Sequence, residues 1–304
     1  TCLNTASTAQ TFTVSGSKLV SDVTVTAPTN FEVSKDNITY STSISFARAG
    51  DNTLATSTVY LRMTSIASTG SYSGNVVVSA TNAASQTLLA TGNVNATTAI
   101  SAQPSNVTIC SGNATTFSLT AAGASLTYQW KVSTDGTNYT DLTNTGIYTG
   151  ATTSVLRLSS GVTSSYSGYK YKCTVTGSCG SAVTSNEATL TVNSPISISA
   201  SPSNSTICSG NNTTFSVTAS GTSPTYQWKV STNGGSSYTN LSDAGVYTGV
   251  TTATLTITGA TAGMNSYKYH CVVSGTCASA TSDAATLTIN AAPSTPGSIT
   301  GNST

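Results

Sequence analysis

The sequence predicts an all-β chain of tandem β-sandwich domains arranged end to end, and three observations carry that expectation. First, a set of residues recurs 98 positions further on. Cys110, Phe117, Trp130, Cys173 and Cys179 return as Cys208, Phe215, Trp228, Cys271 and Cys277. Second, apolar residues alternate with Thr and Ser along most of the chain, which is the period of a strand with one buried face. Third, only 6% of the 304 residues are charged, against roughly 25% in an ordinary soluble protein. Polarity rests instead on Thr, a strand former, and on Ser, Asn and Gly, which supply turns.

A repeat of that length is one folding unit, so the chain reads as an array. Three modules fit: residues 1–97, cut short at the start, then 98–194 and 195–290, with 291–304 as a linker into a following module. The junctions TTAISAQP and NSPISISASP are short and contain Pro, as joints between β modules do. Joints this short limit bending and favour a rod. The closing PSTPGSITGNST looks like the opening of another module, and the chain reads as a piece of something longer.

Within the second module the strands read as NVTI, TTFSLTA, LTYQWKV, SVLRLS, YKYKCTV and EATLTV. In the third of these, Leu126, Tyr128, Trp130 and Val132 share one face, with Thr127, Gln129 and Lys131 on the other. The offset between repeats supports the assignment. It is 98 at Trp130 and Trp228, 99 at Tyr139 and Tyr238, and 98 again at Cys173 and Cys271. The residues gained and lost fall in Gly/Ser-rich stretches between alternating runs, where insertions collect in loops. No helix is expected beyond a single turn before Tyr169 and before Tyr267.

Gly112, Phe117, Leu119, Trp130, Tyr171, Cys173 and the closing ATLTV make this module, and its repeat, resemble immunoglobulin-like domains. A buried Trp and a Tyr two residues before a core Cys are marks of that fold. The resemblance implies a core of Trp130, Trp228, Leu119, Val217, Tyr171 and Tyr269. There is one departure. Where the fold usually holds the partner cysteine, eleven residues before the Trp, this chain has Leu119 and Val217. Cys173 and Cys271 are therefore expected as reduced, buried thiols. More narrowly, the pattern C-x-G … YQW-x-VST … Y-x-C … C is similar to the repeats of very large bacterial surface proteins exported by the type IX route, gliding adhesins among them. Module one, with TFTVSGSKLVSDVTVTAPTNFEVS, TVYLRM and GSYSGNVVVSA, looks like a companion repeat of such proteins.

Seven cysteines in a chain of this character ask for pairing. Cys110 lies before the turn joining the first two strands, and Cys179 lies in the turn joining the last two. Those turns sit at opposite poles of a sandwich, about 25 Å apart for strands of about seven residues. A disulfide needs Cα atoms within about 7 Å. Bridges between modules resolve the difficulty: Cys2–Cys179 and Cys110–Cys277, with Cys208 left for a following module. Bridges within modules, Cys110–Cys179 and Cys208–Cys277, are the alternative.

The chemistry of an enzyme is not expected. His270 is the only histidine; it precedes the inward Cys271, so it points outward, and its repeat is Lys172. A Ser-His-Asp or Cys-His unit has no second partner. Asp135 and Asp141 recur as Asn233 and Asn240, which fits turns better than calcium. Glu32 and Glu187, the only glutamates, lie in different modules. Tyr148 and Tyr247, like Tyr139 and Tyr238, are expected to cap the core edge, with loop contacts to glycans or proteins as the competing reading. No cofactor or metal site is expected. A net charge of +1 gives no nucleic-acid footprint, and no run approaches the roughly 18 apolar residues of a membrane span.

The function implied is structural: a stalk or filament segment of a large extracellular repeat adhesin, giving reach and stiffness at the cell surface for adhesion or gliding. Its partners are neighbouring modules of the same chain, with surface glycans or proteins beyond them. Two other readings are a glycan- or protein-binding module and a non-catalytic accessory region of a secreted enzyme.

Overall fold

The structure is a computed structural model and describes residues 1–290, so the expected linker at 291–304 lies outside the described residues. It is built of strands, with two 3-10 turns at Ser164–Tyr166 and Ala262–Met264. These fall just before Tyr169 and Tyr267. The chain divides into two compact units. One comprises Thr1–Ser105, Thr116–Leu158 and Lys170–Thr189; the other comprises Asn106–Thr115, Ser159–Tyr169 and, of the described residues, 190–290.

The first unit begins with seven strands: β1 (Gln10–Gly16), β2 (Val23–Thr26), β3 (Phe31–Ser34), β4 (Ser43–Phe46), β5 (Leu54–Met63), β6 (Gly70–Ser79) and β7 (Gln86–Val94). They form two sheets, ordered β1-β5-β3 and β4-β2-β6-β7. Alternate residues of both sheets meet in one core. Val14, Phe31, Val33, Val59 and Met63 come from one side, and Val23, Val25, Val76, Ala90 and Val94 from the other. The same period that makes these segments strands thus supplies the core.

Further strands of this unit are β8 (Ala99–Ala102), β10 (Thr115–Ser118), β11 (Thr120–Ala122), β12 (Thr127–Ser133), β13 (Thr140–Asp141), β14 (Tyr148–Thr149), β15 (Val155–Leu158), β16 (Lys170–Thr176) and β17 (Val183–Thr184); β9 (Val107–Cys110) belongs to the second unit. The expected TTFSLTA strand is split at Leu119. Its first half pairs with β15, and its second half turns to pair with β8. A strand that changes partners must break its ladder, and alternation alone does not register the break. In the β12–β16 pair, Trp130 stands directly opposite Cys173. Trp130, Tyr171 and Cys173 are wholly buried, and Leu119 is nearly so.

Strand β18 (Ala188–Asn193) pairs at Ala188 and Thr189 with β16. Its remainder belongs to the second unit, where Leu190–Asn193 run parallel to β9. That unit continues with β19 (Ser197–Ala200), β20 (Ser205–Cys208), β21 (Thr213–Ser216), β22 (Thr218–Ser220), β23 (Thr225–Ser231), β24 (Thr239–Asn240), β25 (Tyr247–Thr248), β26 (Thr254–Ile257), β27 (Lys268–Ser274), β28 (Ser279–Thr281) and β29 (Ala285–Asn290). The larger sheet is ordered β20-β29-β27-β23-β24 and faces the sheet β21-β26-β25. Phe215, Leu255 and Ile257 meet Trp228, Tyr269, Cys271 and Leu287 in its core. Val217 joins them at 5% exposure.

Candidate functional site

Among the described residues, the cysteines carry the reactive chemistry that recurs with the repeat. Cys2 and Cys179 are joined, with Cα atoms 5.4 Å apart; Cys110 and Cys277 are joined at 5.6 Å. Cys173, Cys208 and Cys271 are free thiols.

Each bridge has the same two-sided setting. On one side, a cysteine lies beside an asparagine that ends its own repeat, at the end of β9 for Cys110 and in an isolated bridge for Cys2. Cys2 forms a parallel bridge with Asn95, and Cys110 pairs in parallel with Asn193. Backbone bonds fix the step: Leu3 N–H donates to the Asn95 carbonyl at 3.0 Å, and Ser111 N–H donates to the Asn193 carbonyl at 2.8 Å. On the other side, the cysteine sits in the turn of a hairpin. Cys179 is 2% exposed, and its carbonyl accepts both the N–H and the hydroxyl of Thr98 at 2.8 Å. For Cys277, the preceding Thr276 N–H donates to the Thr222 carbonyl at 3.2 Å, while Thr222 N–H donates to that of Ser194 at 3.1 Å. Two glycines let these turns approach so closely. A Cβ on Gly177 would strike the Thr98 hydroxyl, and one on Gly275 would strike the Ile196 side chain.

Cys208 has the first half of this setting. It pairs in parallel with Asn290, and Ser209 N–H donates to the Asn290 carbonyl at 3.1 Å. Its side is exposed and its thiol unbonded. The three asparagines were not picked out in the sequence. Their signal is the dipeptide that closes each repeat: Val94-Asn95, Val192-Asn193 and Ile289-Asn290.

The buried thiols are a different chemistry. Cys173 and Cys271 are wholly buried, and burial pushes each thiol up to about 11. A group held protonated in this way is a poor nucleophile. The backbone N–H of each donates to a serine hydroxyl from a neighbouring segment, Ser185 at 2.9 Å and Ser282 at 3.0 Å.

The tyrosines and the histidine are absorbed by packing. The Tyr148 and Tyr171 hydroxyls lie 3.2 Å apart, as do those of Tyr247 and Tyr269. Phe117 stacks on Tyr171 at 4.6 Å and Phe215 on Tyr269 at 5.0 Å. His270 stacks on Tyr238 with ring centroids 4.0 Å apart. At the matching positions Lys172 Nζ lies 3.6 Å over the Tyr139 ring, a cation–π contact where the other repeat has a ring stack. Asp135 accepts the N–H groups of Thr137 and Asn138 at 2.9 and 2.8 Å, which is a turn, and Asp141 pairs with Lys131 at 2.6 Å. Among the described residues, no three of His, Cys, Asp and Glu converge as metal ligands would. No helix of the described residues is long and apolar enough to cross a membrane.

Paired two-layered sheets, a Trp opposite a core Cys, and a cysteine-ended strand running parallel to the last define a tandem array of immunoglobulin-like domains. Solved titin structures agree on the fold. A three-domain titin fragment, I67–I69 from the I-band, covers 95% of this chain and 94% of its own at 15% identity, with a TM-score of 0.55. An E-to-A variant of the same three titin domains matches with the same figures. Extracellular domains 3–5 of Drosophila OTK align over 93% of this chain and 92% of that one at 15% identity, with a TM-score of 0.45. Residues 197–291 match a family described as a domain of unknown function, DUF8696. No curated protein matches the chain.

Proposed function

We propose that this chain is a stalk or filament segment of a large extracellular repeat adhesin. Three modules, 1–97, 98–194 and 195–290, give it reach and stiffness at the cell surface, for adhesion or gliding of the kind served by type IX-exported repeat proteins. One observation carries the reading. Both disulfides tie the cysteine that opens one repeat to the hairpin cysteine of the next, across 177 and 167 positions of sequence. A cross-link placed twice in the same relation to the repeat belongs to the joint, and a stiffened joint is what a projecting element requires. The same logic assigns Cys208 to the hairpin cysteine of a following module. Disulfides of this kind persist outside the reducing cytosol, which supports an extracellular site.

The reading is tested by pulling single molecules from their ends. In the Cys110→Ser/Cys277→Ser variant, the remaining Cys2–Cys179 bridge hides the 177 positions between its cysteines. Reductant should then add roughly 600 Å of contour length, at about 3.5 Å per residue. An unchanged contour length, or unaltered bending stiffness when both bridges are removed, would refute the role of the joints.

A further inference from the structure

The second and third repeats share a sheet face whose charges differ. In the second, lysines and a tyrosine hold two carboxylates. Lys170 Nζ and the Tyr139 hydroxyl both donate to the Glu187 carboxylate, at 2.9 and 2.6 Å. The tyrosine bond, then the lysine bond, keeps that carboxyl below its ordinary value. Lys131 Nζ donates to Asp141 Oδ1 across the β12–β13 pair at 2.6 Å. The third repeat keeps these donors and changes the acceptors. Lys268 and Tyr238 stand for Lys170 and Tyr139, and Lys229 stands for Lys131. Lys170 pairs with Thr189 and Lys268 with Thr286, so Ala284 takes the place of Glu187. Asn240, opposite Lys229, takes that of Asp141.

The retained donors converge. A Cβ added at Gly235 would lie 3.4 Å from the Tyr238 hydroxyl and 3.8 Å from Lys268 Nζ, so both groups face one point. Lys229 and His270 stand directly opposite each other on β23 and β27, with Lys268 two residues along. Diagonal neighbours of this kind are about 7–8 Å apart. Lys229, Tyr238, Lys268 and His270 are half-buried, while Asn240 and Ala284 are exposed. Among the described residues, neither lysine belongs to an ion pair. The two acids of residues 195–290 serve other donors. Asp243 accepts the Val250 N–H at 3.0 Å, and Asp283 accepts the Ser201 hydroxyl at 3.2 Å.

We propose that this face of the third repeat binds an extended acidic polypeptide segment with carboxylates two residues apart, of the type Glu-Thr-Glu. One carboxylate takes the position that Glu187 holds in the second repeat, accepting from the Lys268 ammonium and the Tyr238 hydroxyl. The other lies on Lys229, as Asp141 lies on Lys131. Side chains i and i+2 of an extended segment project to one side, about 6.5–7 Å apart, which matches the spacing of the two lysines. In the second repeat the same donors hold carboxylates contributed by polypeptide, which favours a peptide over an acidic sugar. The proposal depends neither on the disulfides nor on the stalk reading.

Calorimetric titration of the whole 304-residue chain with the capped peptide acetyl-Thr-Glu-Thr-Glu-Thr-amide tests it. One peptide per chain is expected, bound about tenfold or more weakly when glutamine replaces one glutamate, since the second contact is then lost. His270 is the only histidine, and its imidazole resonances should move with the same saturation. Ala284→Glu supplies the carboxylate from the chain itself and should weaken binding about tenfold or more. Glu187→Ala/Asp141→Asn copies the face onto the second repeat and should raise the count to two peptides per chain. Absence of saturable binding, or binding that Ala284→Glu leaves unchanged, would overturn the proposal. So would a uronic-acid polymer that displaces the peptide and binds more tightly per carboxylate, which would assign the face to an acidic polysaccharide.

Discussion

Cys173, Cys208 and Cys271 carry no bridge, and depth separates their chemistry. The first and last lie in the core, and the second is exposed. Alkylation of the native protein should label Cys208 alone, and denaturant should add the other two; native labelling of Cys173 would mean the core opens. The turn at Asp135 makes a second residue-scale prediction. The N–H groups of Asn138 and Thr137, then the Asn138 and Ser133 side chains, hold its carboxyl well below the usual range. At Asp36, the N–H groups of Thr39 and Ile38 and the Ser34 hydroxyl lower it from 3.8 to about 2. A depressed carboxyl contributes stability above its unfolded value and loses it as pH falls through the folded one. Asp36→Asn and Asp135→Asn should therefore flatten the loss of stability between about pH 4 and 2, and unchanged acid sensitivity would count against these turns. Asn233 already makes the neutral version, accepting from Ser237 N–H at 3.0 Å. His270 titrates in the same sense. Burial, then the cationic Lys229 beside it, lowers its value from 6.5. Its imidazole resonances should shift with a midpoint below 6.5, and a midpoint above would contradict the packing against Tyr238.

Strands that alternate over several residues are legible in the sequence because their period is also their burial pattern. β12 and β16 show this, and the inward Trp130 meets the inward Cys173 in register. Two-residue strands such as β13 and β14 hold no period to read. The parallel pairing of β9 with β18 left no trace either, since alternation names a face and never a partner. Gln129 was read only as an outward residue. Its amide donates to the carbonyls of Trp130 and Leu142 at 2.8 and 2.9 Å, and Gln227 repeats both bonds on Trp228 and Leu241 at the same distances. This tie pins the segment after the hairpin onto the Trp strand. Gln129→Leu should cost about 1–3 kcal/mol in chemical denaturation, at 0.5–1.5 per bond, with Gln227→Leu costing as much. A neutral outcome at both would show the tie is replaced by water.

At the scale of the whole chain, few charges and long covalent loops set the behaviour. Three ion pairs are formed among the described residues, all partly exposed, so salt has little to screen. The bridges matter more. By chain entropy, closing a loop of 167 positions is worth up to about 5 kcal/mol. Cys110→Ser/Cys277→Ser should lower the thermal midpoint measured by calorimetry, while the variant's sensitivity to salt stays small. The position of the cysteines at repeat ends was legible from the 98-residue offset, whereas the asparagines beside them were not, because Asn is common in turns throughout the chain.

The parallel register of β9 with β18, and of β20 with β29, has a mechanical consequence. Tension drawing the opening strand one way and the closing strand the other slides the two past each other. All the rungs between them are then strained together, and none can be peeled first. Both ladders are thus loaded in shear.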